Sequence, residues 1–203
     1  EINVTALDKV TGKTVWKTDR SIDFQDLTPE GKPIRDGDFR KGFSSPLVIE
    51  HDGEPLLVSS ASKATYGYEP ATGKELWRVE ERKHHSGSVR PVYGHGLIFA
   101  ATGLGKGEMW AIRPGGRGVV TDTHVVWKVA KGAPNRPSPV LVGEWLFMLN
   151  QDGGVVTCLE AKTGRVIWSE RLPGLGNYSA SPVLAAGRLY FCNENGQTTV
   201  IEA

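Results

Sequence analysis

Four short apolar runs, PLLVSS, GLIFAA, EWLFML and GRLYFC, follow glycine-bearing turns and give way to polar residues. Ahead of each lies a shorter stretch built on a proline: SSPLVIE, VRPVYGH, PSPVLVG and ASPVLAA. Behind each come two more alternating stretches, the second carrying a tryptophan, as in VVTCLEAKTGRVIWSE over residues 155–170. Apolar runs of this length with period-two alternation, bounded by Gly, Asn or Asp, predict β-strands rather than helices. The pattern therefore predicts an all-β chain built from groups of four strands.

Two markers show that the groups are repeats. Pro46, Pro91, Pro139 and Pro182 recur at intervals of 45, 48 and 43 residues, and Trp16, Trp77, Trp127 and Trp168 at 61, 50 and 41. Between the third and fourth strands runs a frame of small residue, acidic residue two later, Thr-Gly, then Trp four beyond the glycine. It reads Asp8, Thr11, Gly12, Trp16, then Glu69, Thr72, Gly73, Trp77, then Glu160, Thr163, Gly164, Trp168. The copy over residues 109–129 keeps Ala111 and Trp127 but has Arg113 at the acidic position and a longer turn. Thr-Gly predicts a tight turn with glycine at positive φ. A lone four-stranded sheet leaves both faces wet, so such units must stack, and each indole offers an apolar plate worth roughly 2–3 kcal/mol when buried. Stacked four-stranded units of 40–50 residues predict a β-propeller.

Composition narrows the function. The 203 residues carry 24 Lys plus Arg against 23 Asp plus Glu, a net charge of +1, which gives a nucleic acid no broad positive field. The 25 glycines and 12 prolines fit many tight turns. Cys158 and Cys192 match no zinc or redox spacing and read as small buried hydrophobes in strands. No apolar run is long enough to predict a transmembrane helix, and the first 20 residues lack the order of a signal peptide.

The frame Ala6-Leu-Asp8-Lys-Val-Thr11-Gly12-Lys-Thr-Val-Trp16 resembles the tryptophan-docking motif of the quinoprotein (PQQ-like) β-propeller repeats. The resemblance covers nearly the whole chain. It implies a single partial propeller of about four blades, roughly 1–19, 43–80, 89–129, 137–171 and 179–203, with the end blades incomplete. Such a chain would be half of an eight-bladed ring, one half of a dimer completing that ring, or a small four-bladed closure; the expectation is a fragment, or an open array whose end sheets pair with another copy. It also implies a bacterial periplasmic, secreted or cell-envelope location. The family includes quinone-dependent dehydrogenases and the lipoprotein scaffold of barrel assembly. The run AIRPGGRGVVTDTHVVWK resembles one blade of an uncharacterised bacterial branch with an enlarged turn.

Propeller geometry, as the family shows it, gathers the loops 19–43, 81–90, 131–138 and 172–181 at one mouth, and binding residues collect on such loops. Alignment on the prolines brings Arg40, Lys41 and Phe43 level with Ser86, Ser88 and Arg90, then with Asn135 and Arg136, then with Asn177 and Tyr178. These residues, with His84 and His85, form the candidate ring for a protein or small-molecule ligand, suited to a carboxylate, a phosphate or an acidic peptide. Trp16, Trp77, Trp127, Trp168, Gly12, Gly73 and Gly164 are assigned to docking between blades.

Catalytic and metal-binding residues are not predicted. His84 and His85, if on a strand, point opposite ways. Asn150-Gln151-Asp152 and Asn193-Glu194-Asn195 offer oxygens to calcium but read as turn formers. His124 reads as a hydrogen-bonded turn residue. The loop 19–43, with Arg35, Asp36 and Asp38 among its mixed charges, reads as a solvated or partner-docking flap. The expectation is a non-catalytic scaffold without cofactor. The alternatives are a dehydrogenase-like domain holding PQQ with calcium, for which Trp110 and Trp145 are the spare tryptophans, or a sensor module of a larger receptor.

Overall fold

A computed structural model describes residues 3–32, 34 and 40–203. Strands β1 (Asn3–Leu7) and β2 (Thr14–Asp19) form a first hairpin. A second sheet holds β3 (Leu47–His51), β4 (Glu54–Ala61), β5 (Ala64–Tyr68) and β6 (Glu75–Glu80). The third holds β7 (Val92–Gly94), β8 (Leu97–Ala101), β9 (Met109–Ile112) and β11 (Val125–Val129), with β10 (Gly118–Val119) and α1 (Thr121–His124) inside its enlarged turn. The fourth holds β12 (Val140–Val142), β13 (Trp145–Asn150), β14 (Val155–Glu160) and β15 (Val166–Arg171). The last holds β16 (Val183–Ala185), β17 (Arg188–Cys192) and β18 (Thr198–Glu202). Neighbouring strands within each unit are antiparallel, and the architecture is that of β-propeller blades. The core is four apolar clusters, one in each gap between consecutive sheets.

Register explains the repeated frame. The small residue stands opposite the tryptophan every time: Ala6 with Trp16, Gly67 with Trp77, Ala111 with Trp127 and Cys158 with Trp168. A larger side chain there would displace the indole; a Cβ on Gly67 would lie 2.2 Å from the Trp77 ring. Cys158 is thus a small residue at a position that demands one, and it is 3 % exposed. Cys192, in contrast, is exposed at the end of β17, on the face of that sheet opposite buried Leu189 and Phe191. The expectation of two buried cysteines therefore holds for one.

The acidic residue closes the turn. The amide of Gly12 donates to the Asp8 carbonyl at 2.8 Å, that of Gly73 to Glu69 at 2.9 Å, and that of Gly164 to Glu160 at 2.8 Å. The threonine hydroxyl donates to the carboxylate, at 2.7 Å for Thr11 on Asp8 and 2.6 Å for Thr163 on Glu160. Hydrogen bonds from the Thr11 amide and hydroxyl hold the Asp8 carboxyl below the usual aspartate range.

The tryptophan docks on the turn of the following blade. The Trp16 indole donates from Nε1 to the Pro70 carbonyl at 2.9 Å, and Trp127 to Ala161 at 3.0 Å. Pro70 and Ala161 both stand two residues before the threonine of their turn. Trp77 differs because the next turn is the enlarged one. There β10 pairs in parallel with β6, placing Gly118 opposite Trp77, and Val120 joins the cluster over the ring. Trp77 is fully buried, and its Nε1 has no hydrogen-bond partner among the described residues.

A second seam runs along the inner strands. The Arg90 amide donates to Ser138 Oγ at 3.0 Å, and the Ser138 amide to Ser181 Oγ at 2.9 Å. Each of these residues precedes a marker proline, which pushes it into extended backbone and turns its amide outward to the next blade. The Ser-Pro marker is therefore a blade-to-blade hydrogen bond.

The first part of the loop after β2 packs against the blades, whereas Leu27, residues 29–32 and Ile34 are exposed. Ile22 and Phe24 are 4 % and 8 % exposed in the core between the first two sheets. Lys63 Nζ donates to the Phe24 carbonyl at 2.7 Å, and Arg82 to the Asp23 carbonyl at 3.0 Å. Arg35, Asp36 and Asp38 lie outside the described residues.

Candidate functional site

Strand register decides which loops meet. Ala61 pairs with Ala64, and Ala64 with Glu80, so the β4–β5 turn and the loop leaving β6 emerge at one end of their sheet. Asn150 pairs with Val155, and Val155 with Arg171, which repeats the arrangement in the fourth sheet. The Thr-Gly turns lie at the opposite end. The mouth is therefore built from the blade-to-blade connections and the second-to-third-strand loops, as the family resemblance implies.

At this end a cavity of about 460 Å³ opens between Phe43, His85, Ser86, Ser88, Leu104, Asn135, Arg136 and Ser179. Its loops hand on to one another through hydrogen bonds. Ser44 Oγ donates to the Val89 carbonyl and Ser88 Oγ to the Asn135 carbonyl, both at 2.8 Å. The Phe43 amide donates to the Gly87 carbonyl and the Leu104 amide to the His85 carbonyl, each at 2.8 Å. Two apolar side chains are thereby fastened to one loop, and they stand 54 % and 45 % exposed. Ser86 is held at φ 55, a left-handed conformation costly for a residue with a Cβ. His85 Nδ1 shares a hydrogen bond with its hydroxyl at 2.8 Å.

Charge at the cavity is balanced. Arg136 donates to Ser179 Oγ at 3.2 Å and lies 4.0 Å from the Glu194 carboxylate, which accepts from Ser179 at 2.5 Å. Asn135 is 8 % exposed, and its Oδ1 has no hydrogen-bond partner among the described residues.

Of the ring expected from the sequence, Phe43, His85, Asn135 and Arg136 reach this cavity, together with Ser86 and Ser88. Arg40 does not: it makes a bidentate pair with Asp26 and lies over the Phe24 ring. Lys41 is half-buried and does not line the cavity. Arg90 lines a groove along the inner strands instead. Asn177 is exposed and gives its carbonyl to the Glu194 amide. Tyr178 corrects the alignment, because at 2 % exposure it is a core residue packed over Gly154. Leu104 and Ser179 were missed. Leu104 stands in TGLGKGE, a second-to-third-strand loop, where a lone exposed leucine among glycines is the available signal.

His84 and His85 lie in a loop rather than a strand. His84 Nδ1 is 3.0 Å from Glu81 Oε1 and 3.2 Å from Thr102 Oγ1, so it is tied inward. Both histidines border a neighbouring cavity of about 440 Å³ that Lys63, Arg82 and Lys83 also line. Among the described residues, no three His, Cys, Asp or Glu side chains come together as they would around a metal ion. The Asn150 and Asn193 oxygens accept backbone amides within their own loops, at 2.9 Å for Asp152 and Gln197 and 3.0 Å for Asn195. His124 shares a hydrogen bond with Thr123 at 2.8 Å inside the enlarged turn.

A planar quinone stacks on an aromatic plate; the phenyl ring of Phe43 lines this mouth cavity, and neither spare tryptophan does. Trp110 is 5 % exposed, with Lys128 Nζ 4.0 Å from its ring and its Nε1 bonded to Glu108 at 2.8 Å. Trp145 pairs with Val142 beside the first turn of its sheet, at the end away from the mouth.

Repeated four-stranded sheets, indoles docked on the next blade's turn and a loop-built mouth define a PQQ-like β-propeller repeat protein. The family described as outer membrane protein assembly factor BamB matches residues 1–203, and the chain belongs to it. It is 29 % identical over 126 residues to outer membrane protein assembly factor BamB of Burkholderia pseudomallei, covering 62 % of this chain and 30 % of the relative. It is 26 % identical over 166 residues to the β-alanine-activating enzyme of Drosophila melanogaster, covering 75 % and 16 %. The chain thus spans less than a third of these relatives' lengths. Among solved structures, BamB from Moraxella catarrhalis superimposes with a TM-score of 0.60 at 14 % identity, over 98 % of this chain and 52 % of that one. A quinohemoprotein alcohol dehydrogenase from Comamonas testosteroni gives 0.63 at 14 % identity, over 98 % and 38 %. At these identities the structural likeness shows the fold alone. No helix among the described residues is long and apolar enough to cross a membrane.

Proposed function

We propose that this chain is a non-catalytic scaffold of the bacterial periplasm or cell envelope that docks a protein partner at the funnel mouth. Membership of the outer-membrane assembly-factor family supports a role in holding other proteins. The observation that carries the reading is the mouth cavity, where Phe43 and Leu104 stay 54 % and 45 % exposed on loops otherwise cross-braced by hydrogen bonds. Exposed apolar anchors on a rigid frame with a polar surround are the composition of a docking site.

The test is retention of envelope proteins by the immobilised chain and by a Phe43→Asp/Leu104→Asp variant. Both side chains are exposed, so the variant keeps its fold. At least tenfold loss of one specific protein supports docking at the mouth; equal retention by both forms refutes it. Stoichiometric, calcium-dependent uptake of the quinone would overturn the non-catalytic reading.

A further inference from the structure

We propose that the mouth cavity recognises the main chain of an extended, uncharged polypeptide segment, with the Asn135 carboxamide pairing with the N–H and C=O of one of its residues. This rests on the docking reading above and names what is docked.

The first observation is the Asn135 side chain. It lines the cavity at 8 % exposure, and its Oδ1 accepts no hydrogen bond from the described residues. A buried acceptor without a donor is costly, so a ligand N–H that reaches it restores what folding leaves unmade. Oδ1 is itself buried, so meeting a ligand requires a rotation about χ2, which breaks no hydrogen bond of that oxygen with the described residues. The backbone below is fixed by Ser88 Oγ on the Asn135 carbonyl at 2.8 Å, so the carboxamide is presented from a rigid base. An asparagine side chain carries one acceptor and an N–H donor side by side, so one carboxamide can take the N–H and answer the C=O of a single residue, which in an extended strand point to the same edge.

The second observation is charge. Arg136, the cation at the cavity, is already matched by Ser179 and Glu194. A carboxylate or phosphate ligand would have to compete with Glu194, whereas a neutral peptide leaves that arrangement undisturbed. The third is the pair of exposed apolar side chains. Phe43 and Leu104 hang from the carbonyls of Gly87 and His85 on one loop. In an extended segment, alternate side chains point the same way about 6.6 Å apart. Two apolar ligand residues on one face would take these anchors, and the residue between them would present its N–H and C=O to Asn135. A cavity of about 460 Å³ lies in the range that holds such a short segment. A saccharide would supply hydroxyl donors but not paired apolar side chains.

The probe is an acetyl- and amide-capped pentapeptide alternating leucine with glycine, titrated into the ¹⁵N-labelled chain. Saturable movement of the Asn135 side-chain amide resonance is expected. The fully N-methylated version of the same peptide, which keeps the apolar surface and loses every donor, should bind about tenfold more weakly. Asn135→Leu should weaken the parent peptide by a similar factor and leave the N-methylated one unchanged. The N-methylated comparison uses the unaltered protein, so it decides the matter even if the variant misfolds. Equal affinity for the two peptides, no saturable binding, or a preference for maltotriose overturns the proposal. If those results coincide with partner retention that still depends on Phe43 and Leu104, main-chain recognition fails while docking at the mouth stands.

Discussion

The Trp127 indole lies across Gly164 of the next blade's turn, so closely that a Cβ on that glycine would come within 2.6 Å of ring atom Cδ2. The glycine thus serves twice, once at φ 72 for the turn and once as the seat of the ring. Gly12 has the same conformation, φ 70, with nothing within 4 Å of the same position. The pair separates turn from seat. Gly12→Ala should cost about 1 kcal/mol, the left-handed backbone alone. Gly164→Ala should cost roughly 2–4 kcal/mol, because the ring must also move. Denaturant unfolding of both variants checks this, and equal losses would contradict the docking role of the glycine.

The inner seam makes a more local prediction. Ser181→Ala removes the acceptor of the Ser138 amide, and Ser138→Ala that of the Arg90 amide. Each should cost about 1 kcal/mol. Amide exchange should accelerate at residue 138 in the first variant and at residue 90 in the second, with strand interiors little changed. Acceleration spread over whole blades would mean that these serines support the fold generally rather than one seam.

Asp26 supplies a pH dependence. Side-chain hydrogen bonding from Arg40 holds its carboxyl below the ordinary value of 3.8. A lowered folded value means the carboxylate contributes stability above the unfolded value, and that contribution is lost as pH falls through the folded one. Carboxyl titration by NMR should place Asp26 below 3.8, and Arg40→Gln should move it upward. Amides of residues 20–32 should exchange faster in that variant near neutral pH. An unmoved midpoint would show that the pair does not hold in solution.

The two thiols should behave differently. Cys158 is buried under Trp168, and burial pushes its thiol above the usual range, which disfavours the reactive thiolate. Cys192 is exposed. A maleimide should label one cysteine in the native chain and two after unfolding. Cys158→Ala should be tolerated within about 1.5 kcal/mol, as the alanines at the equivalent positions suggest, whereas Cys158→Leu should be strongly destabilising.

Much of the fold was legible in the sequence because two markers repeat in step, and repetition exposes positions that a single copy would hide. The frame reported the turn, its glycine and its tryptophan. It could not report that Trp16 bonds to Pro70 and Trp127 to Ala161, since a partner one blade away leaves no local signal. Nor could it foresee β10: Gly118 and Val119 read as turn residues until β6 gives them a partner in parallel. The mouth was legible only as a set of loops. Proline alignment brought Asn135 and Arg136 to the right place because each sits just before a fixed strand. It failed for Tyr178, whose loop folds back so that the ring enters the core. Leu104 arrives from a different class of loop, and its exposure depends on how that loop is pinned to His85.

Docking at the mouth is tested most directly by a photoreactive side chain placed at position 104 or at position 10. Val10 is 84 % exposed on a Thr-Gly turn at the opposite end of the blades. Irradiation in envelope extract should give a discrete protein adduct from position 104 that the capped leucine–glycine peptide competes away, and none from position 10. Adducts of equal yield from both positions, or from position 10 alone, would contradict docking at the mouth.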